Sequence, residues 1–173
     1  VQSVTAADVL GRFRVRQAIE AEAARLYAGE PIRGIRGRLE LLAERADAAK
    51  SGTFANYRTE VEFHSALVEA AGCKELSEAF GHVMRHSLYH AAHDFLPHVP
   101  ERTMEMHQKL LASLARADAD TAERLIRRHL SPLIEALAEV AKRTPSSASS
   151  ARLAARGAAV RIRRPRRGRR AAE

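Results

Sequence analysis

The sequence predicts an all-α protein, an antiparallel bundle of about six helices followed by a disordered basic C-terminal tail. Apolar residues recur with helical spacing along most of residues 1–143, and no segment alternates apolar and polar residues as a β-strand does. Short stretches rich in glycine, proline, serine or threonine separate these apolar-periodic segments. Short connections of this kind favour antiparallel neighbours in a bundle.

Capping and helix-breaking residues place the elements in order. Thr5 and Asp8 form a capping box for a first helix over about residues 6–28. Pro31 can open a second helix, whose beginning is weakened by Gly34 and Gly37. The remaining predicted helices run from Thr53 to near Gly72, over about 74–96, from Pro100 to about Ala117, and from a cap at Asp118 or Asp120 to about residue 142.

The apolar faces of these helices define the predicted core. Leu26 belongs to the face of the first helix, and Leu39 and Leu41 belong to that of the second. Pro132 falls inside the last helix, where we expect a kink because proline lacks the backbone N–H.

The positive charge of the chain is concentrated near its C-terminus. The formal net charge is +8, from 29 Lys and Arg against 21 Asp and Glu. Nine arginines and one acid from residue 144 onward account for this whole excess, so residues 1–143 are neutral overall. We therefore predict a helical domain over residues 1–143 and a disordered Arg-rich tail over residues 144–173. Any electrostatic affinity for nucleic acid belongs to the tail.

Cysteine content and hydropathy indicate the compartment. Cys73 is the single cysteine, which excludes an internal disulfide framework. No apolar run approaches the roughly 18 residues of a spanning helix, and no secretory segment opens the chain. We expect a soluble, cytoplasmic protein without a membrane partner.

Three histidines lie beside the apolar faces of three different predicted helices. Helix residues four apart share a face, so Glu60 and His64 could share a proton or a metal. With His107 and His129 they would offer three nitrogens and one oxygen to a divalent cation such as Zn, Ni, Mn or Co. The alternative is that each histidine is a hydrogen-bonded core residue.

A second row of histidines competes with this set. It consists of His82, His86, His90 and His93 on the predicted fourth helix. The row could bind a metal by itself, line a cavity or form a solvated face, but no acid or cysteine joins it at helical spacing. No Ser/His/Asp set, phosphate-binding loop or pair of catalytic carboxylates is visible, so we assign no catalytic residue and predict no enzyme.

Three segments follow one another in an order typical of a known family. They are VRQAIEAEAARLYA with Arg16, EVEFHSALVEAAGC with Glu60 and His64, and MHQKLLASLARADADTAERLIRRHL with His107 and His129. Together they resemble the FCD effector domain of GntR-type bacterial transcription regulators over about residues 6–142. The family pattern is R-x-x-L-E on the first helix, D-x-x-x-H before a glycine-asparagine pair, and two later histidines. Here Glu60 replaces the usual aspartate and Cys73 the usual asparagine.

The resemblance implies a function and a set of site residues. It implies that a divalent metal holds a small organic-acid effector and that Arg16 pairs with its carboxylate. The metal ligands it implies are Glu60, His64, His107 and His129.

Members of this family form homodimers and control DNA binding through an N-terminal winged helix-turn-helix domain. No such domain fits before Thr5, so we expect a fragment, a truncated reading frame or a regulator that has lost its DNA-binding domain. The alternative function is a stand-alone metal-dependent enzyme or small-molecule-binding protein on the same bundle, since a metal with an open position can activate water.

Overall fold

The computed structural model describes residues 4–28, 32, 34–49, 53–90 and 106–143. Within these ranges the chain is helical and contains no strand, which confirms the predicted all-α fold class. The helices whose bounds fall within these ranges are α1 (Ala6–Tyr27), α2 (Arg36–Ala48), α3 (Phe54–Glu69), α4 (Lys74–His90), α5 (His107–Leu114) and α6 (Ala119–Arg143).

The first and last helices pack against each other in opposite directions. Near the middle of α1, the Gln17 side-chain amide donates to the Arg127 carbonyl at 3.0 Å. At the end of α1, Arg25 pairs with Asp120 at the start of α6, with 2.6 Å between Nη1 and Oδ1. Residues later in α1 therefore meet residues earlier in α6, so the two helices are antiparallel.

A second antiparallel pair consists of α2 and α3. Arg38 contacts Glu69 and Arg45 contacts Glu62, each at 3.2 Å between guanidinium nitrogen and carboxylate oxygen. Helix α3 also packs on α1 and α4, and the short α5 lies against α2 and α6. This arrangement surrounds α3, which carries His64, with other helices.

Local capping residues begin two of the helices as predicted. The Asp8 amide donates to Thr5 Oγ1 at 3.2 Å, while the Thr5 amide donates to Asp8 Oδ2 at 2.9 Å. At the start of α6, the Thr121 amide donates to Asp118 Oδ1 at 2.7 Å, so Asp118 is the cap. After α3, Gly72 has a φ of 65°, a left-handed conformation that glycine adopts without steric cost.

Three details differ from the prediction. Helix α5 begins at His107 rather than at Pro100, because Met106 has an extended backbone with ψ of 132°. Leu26 and Leu41 point toward solvent, with 46% and 59% of their surface exposed. Pro132 lies within α6, and its predicted kink stays a prediction.

Other predictions fall on residues outside the described ranges. They concern the helix start at Pro31, the end of the predicted fourth helix at 91–96, and the Arg-rich tail at 144–173. None of the described helices combines the length and the apolar character needed to cross a membrane.

All six helices contribute to one hydrophobic core. Its largest fully buried apolar side chains include Phe13, Tyr27, Phe63, Phe80, Leu110, Leu114, Ile126 and Leu137. Buried with them are the polar or charged side chains of Arg16, Glu20, Thr59, Glu60, His64, His107 and His129. Apolar burial stabilises a fold, whereas a buried polar group costs free energy unless it has a partner. The burial of these seven polar or charged side chains therefore requires an explanation. They include every site residue predicted from the sequence.

Candidate metal centre

Three helices bring His64, His107 and His129 together inside the bundle. His64 lies in α3, His107 is the first residue of α5, and His129 lies in α6. One nitrogen of each ring lies within 4.8 Å of the corresponding nitrogens of the other two. The ring centroids are separated by 5.4, 5.3 and 5.1 Å, so the three rings form a nearly equilateral triangle.

One buried nitrogen on each of these rings has no hydrogen-bond partner among the described residues. These atoms are His64 Nε2, His107 Nε2 and His129 Nδ1. A buried polar atom without a partner costs about 1–3 kcal/mol. A divalent cation that accepts the three lone pairs would remove this cost, and imidazole nitrogen is a common ligand for such cations. The chemistry of the three residues therefore fits a metal.

A carboxylate on α1 orients the His64 ring. Glu20 Oε2 lies 2.5 Å from His64 Nδ1, and Glu20 Oε1 accepts a hydrogen bond from Arg16 Nε at 2.6 Å. Because a carboxylate only accepts, Nδ1 is the protonated nitrogen and Nε2 keeps its lone pair. A carboxylate on the outer nitrogen fixes the tautomer and ring orientation that metal-binding histidines use.

A second carboxylate, on α2, does the same for the His107 ring. Asp47 Oδ1 accepts from His107 Nδ1 at 2.8 Å and also from the His107 backbone amide at 2.8 Å. Asp47 Oδ2 accepts from the Gln108 amide at 3.1 Å. Asp47 therefore satisfies two of the first amides of α5 and leaves His107 Nε2 as the lone-pair nitrogen.

Burial keeps two of the histidines neutral. It lowers the pKa of His64 to about 4 despite the opposing charge of Glu20. It also lowers the pKa of His129 to about 2, with further lowering by the charges of His64 and His107. Both rings are therefore neutral near pH 7, the form that binds a metal.

Glu20 is ionised even though it is buried. Burial by itself raises its pKa, but the charges of His64 and Arg16 and the hydrogen bonds from both outweigh this effect and lower the pKa to about 2. Since His64 is neutral near pH 7, the permanent charge of Arg16 is what keeps Glu20 ionised under those conditions.

Glu60 lies near the three histidines but its carboxylate does not join the set of atoms within 4.8 Å of one another. It occupies the turn of α3 before His64, is buried, and accepts only a long hydrogen bond of 3.4 Å from Asn56 among the contacts described. Burial raises its pKa, while the charges of His107 and Arg16 oppose that rise. The structure thus brings together three of the four predicted metal ligands and leaves the fourth beside them.

Arg16 offers two buried nitrogens to the same interior. Its side chain is 1% exposed, and Nη1 and Nη2 have no hydrogen-bond partner among the described residues. Glu20 contacts both the Arg16 guanidinium and the His64 ring, which places the guanidinium next to the histidine cluster. Two parallel N–H groups on one guanidinium match the geometry of a carboxylate.

The competing row of histidines contributes nothing comparable in the described part of the chain. The His82 side chain is exposed, and it does not belong to a cluster of three potential metal ligands among the described residues. The side chains of His86, His90 and His93 lie outside the described set.

Glu20 and Asp47 were not predicted as site residues. Glu20 is the glutamate of the R-x-x-L-E pattern that begins at Arg16, and this pattern is the signal that could have identified it as a site residue. Asp47 had no comparable local signal, since the ring that it orients lies 60 residues later in the chain.

A helical bundle whose interior holds a polar, metal-capable site has the architecture of a ligand-binding domain. A family model described as the FCD domain matches residues 12–132, more than half of the chain. The chain therefore belongs to the FCD family, as its motifs had indicated, and FCD domains are regulatory effector-binding domains of GntR-type regulators rather than enzymes. Neither a curated protein nor a solved structure matches the chain.

Proposed function

We propose that this chain is the effector-sensing domain of a GntR-type transcription regulator and that it binds a divalent metal together with a small organic acid. The observation that carries this proposal is the meeting of three buried imidazole nitrogens that have no partner among the described residues. The metal is Zn, Ni, Mn or Co, since nitrogen and oxygen ligands suit all four.

The metal ligands in this proposal are His64, His107 and His129, with Glu60 as the fourth. Glu60 and His64 are one helical turn apart, and the three rotatable bonds of a glutamate let its carboxylate turn toward the histidines. A nearby cation would favour the ionised form of Glu60, against the effect of burial. The bound metal supplies Lewis acidity and an open coordination position for an oxygen ligand.

Arg16 supplies the second contact to the acid. Its unpaired Nη1 and Nη2 atoms can donate to both oxygens of one carboxylate, while its Nε remains bonded to Glu20. Glu20 thereby holds the guanidinium in place and orients His64 at the same time. The acid effector is recognised by a fixed cation on one side and by the metal on the other.

In this proposal the effector changes DNA binding through a homodimer. Metal and acid bias the dimer between two arrangements, which alter a winged helix-turn-helix domain that precedes an effector domain of this kind. The helical domain comprises residues 1–143, and the basic residues 144–173 form a separate tail. Because residues 1–143 are neutral overall, a chain ending at Arg143 should show no salt-sensitive DNA binding in a gel-shift titration.

Elemental analysis of the purified full chain tests the metal. We expect near-stoichiometric divalent metal in the wild type and loss of most of it in His64→Ala, His107→Ala and His129→Ala. His82→Ala, a histidine exposed on α4, should retain the metal. Retention by all three cluster variants would contradict the proposal, as would a metal-free wild type that takes up none of the four metals on titration.

Thermal melts test the acid. The metal-loaded protein should melt at a higher temperature than the stripped protein, by mass action on the folded state. A small organic acid should raise the melting temperature further in the presence of metal, and Arg16→Lys should weaken this effect because one ammonium cannot replace the bidentate fork. If the acid raised the melting temperature equally with and without metal, the acid would bind at a site separate from the metal, and the proposed joint site would be contradicted.

A further inference from the structure

Tyr57 lies on the same face of α3 as two predicted metal ligands. Glu60 follows it by three positions and His64 by seven, a spacing that places the three side chains in one row along the helix. The Tyr57 side chain is only 4% exposed, and its hydroxyl has no hydrogen-bond partner among the described residues. A buried tyrosine hydroxyl normally has a partner, so this one requires an explanation.

The charged groups that act on Tyr57 belong to the candidate site. Burial raises the pKa of Tyr57 to about 12, with the charge of Arg16 opposing and that of Glu60 adding to the rise. Conversely, the pKa of Arg16 responds to Tyr57. The buried face of α3 that carries Glu60 and His64 also carries Tyr57, and near pH 7 the Tyr57 hydroxyl is protonated and can donate.

Arg16 and Tyr57 thus present three buried donor atoms that no described residue satisfies: Nη1, Nη2 and the Tyr57 hydroxyl oxygen. One carboxylate can occupy both guanidinium nitrogens, but it leaves the tyrosine hydroxyl without an acceptor. An unpaired buried hydroxyl costs free energy, so a ligand with a further acceptor oxygen binds more tightly than one without it.

We propose that Tyr57 is a second anchor for the acid, and that it makes the site prefer acids with a hydrogen-bond-accepting oxygen beside the carboxylate that Arg16 binds. The additional oxygen belongs to a hydroxyl, an oxo group or a second carboxylate. Arg16 binds the carboxylate and Tyr57 donates to the further oxygen. This inference rests on the proposed binding of metal and acid at the same site.

Tyr27 provides a matched control. Its hydroxyl is also buried and without a partner among the described residues, and its side chain is 1% exposed. Burial raises the pKa of Tyr27 well above its ordinary value, and Glu20 is the charged group that adds to this rise. Both Glu20 oxygens already accept hydrogen bonds from Arg16 and His64, and Tyr27 lies at the end of α1 rather than in the α3 row of Glu60 and His64.

The test compares acids that differ by one hydroxyl. The full chain is loaded with Zn²⁺, and the affinities of glycolate and acetate, and of 3-hydroxybutyrate and butyrate, are measured by titration calorimetry. In the wild type the hydroxylated member of at least one pair should bind about three- to tenfold more tightly, the range expected for one hydrogen bond. Tyr57→Phe should reduce this ratio to about one, whereas Tyr27→Phe should leave it unchanged.

Each other outcome identifies what has failed. A preference that survives in Tyr57→Phe would place the second oxygen on the metal and overturn the role of Tyr57. Equal binding within both pairs in the wild type would overturn the inference and leave the proposed function standing, whereas absence of all acid binding in the Zn²⁺-loaded wild type would overturn both.

A stability measurement on the ligand-free protein guards against a folding artefact. Tyr57→Phe removes a hydroxyl that has no described partner, so it should unfold in urea at the same concentration as the wild type or a higher one. Marked destabilisation would mean that the hydroxyl is bonded within the protein, and this would also overturn the inference.

Discussion

One oxygen of Asp47 accepts two hydrogen bonds from His107, from the ring nitrogen Nδ1 and from the backbone amide, both at 2.8 Å. The backbone bond helps to begin α5, and the ring bond leaves Nε2 directed at the histidine cluster. The start of a helix and the orientation of a candidate metal ligand therefore depend on a single carboxylate of α2.

Substitution of Asp47 should separate these two roles. Asp47→Asn keeps an acceptor oxygen for the α5 amides, so the metal-free protein should lose little stability, but without the negative charge the affinity for Zn²⁺ should fall about 10–100-fold. Asp47→Ala should lose the affinity and in addition about 1 kcal/mol of unfolding free energy. Chelator competition and urea unfolding measure the two quantities. Unchanged Zn²⁺ affinity in both variants would refute the orienting role.

The buried pair of Arg16 and Glu20 gives a prediction for stability. Arg16→Met should destabilise the metal-free protein by about 3–5 kcal/mol, because it leaves the Glu20 carboxylate buried without its cation. Adding Glu20→Gln should recover part of this loss, since the amide oxygen can still accept from His64 and no charge remains. Urea unfolding of both single variants and of the double variant measures the free energies of unfolding. Strictly additive losses would argue against an interaction between Arg16 and Glu20 that stabilises the fold.

Two leucines on α2 form a matched pair for the core. Leu39 is fully buried and Leu41 is 59% exposed, although both were expected on the apolar face. Leu39→Ala should reduce the unfolding free energy by about 2–5 kcal/mol through lost burial and a cavity, whereas Leu41→Ala should cost less than about 1 kcal/mol. Denaturant unfolding of both variants measures these two losses. Similar losses of unfolding free energy would mean that α2 is rotated about its axis relative to the described structure.

The capping box of α1 gives a pH-dependent prediction. The hydrogen bond from the Thr5 side chain lowers the pKa of Asp8 below its ordinary value of 3.8. Because the pKa of Asp8 is lower in the folded state, its carboxylate stabilises the fold fully at pH values above the ordinary pKa. This stabilisation is lost as the pH falls through the folded-state pKa. Thr5→Ala should therefore cost about 1 kcal/mol near pH 7 and less in acid. Thr5→Ser, which keeps the hydroxyl, should follow the wild type across a pH series of thermal melts.

Local sequence signals were sufficient for most of the fold. Thr5, Asp8 and Asp118 mark helix starts through their own side chains, and the apolar period places His64, His107 and His129 on buried faces. These features depend on residues within one or two turns of each other. The prediction of the three histidines as one cluster required only that their helices pack together.

The remaining features depend on contacts that are distant in sequence. Helix α5 has no side-chain cap from its own N-terminal residue Met106, and its cap is Asp47 from another helix. Leu41 is a different case, because residues two positions apart point to nearly opposite sides of a helix, so the helical period should have excluded Leu41 from the face of Leu39. Asp47, the carboxylate that orients His107, was missed because it lies 60 residues earlier in the chain.

The histidine cluster draws on residues spread along most of the chain. Glu20, Asp47, His64, His107 and His129 come from five different helices, so no single helix hairpin contains the site. Loop closure between such distant residues is an entropic cost that folding has to meet before the site exists. A cation held there would act as a cross-link that binds only the completed bundle, and the chain would become responsive to its effector only after α6 has docked.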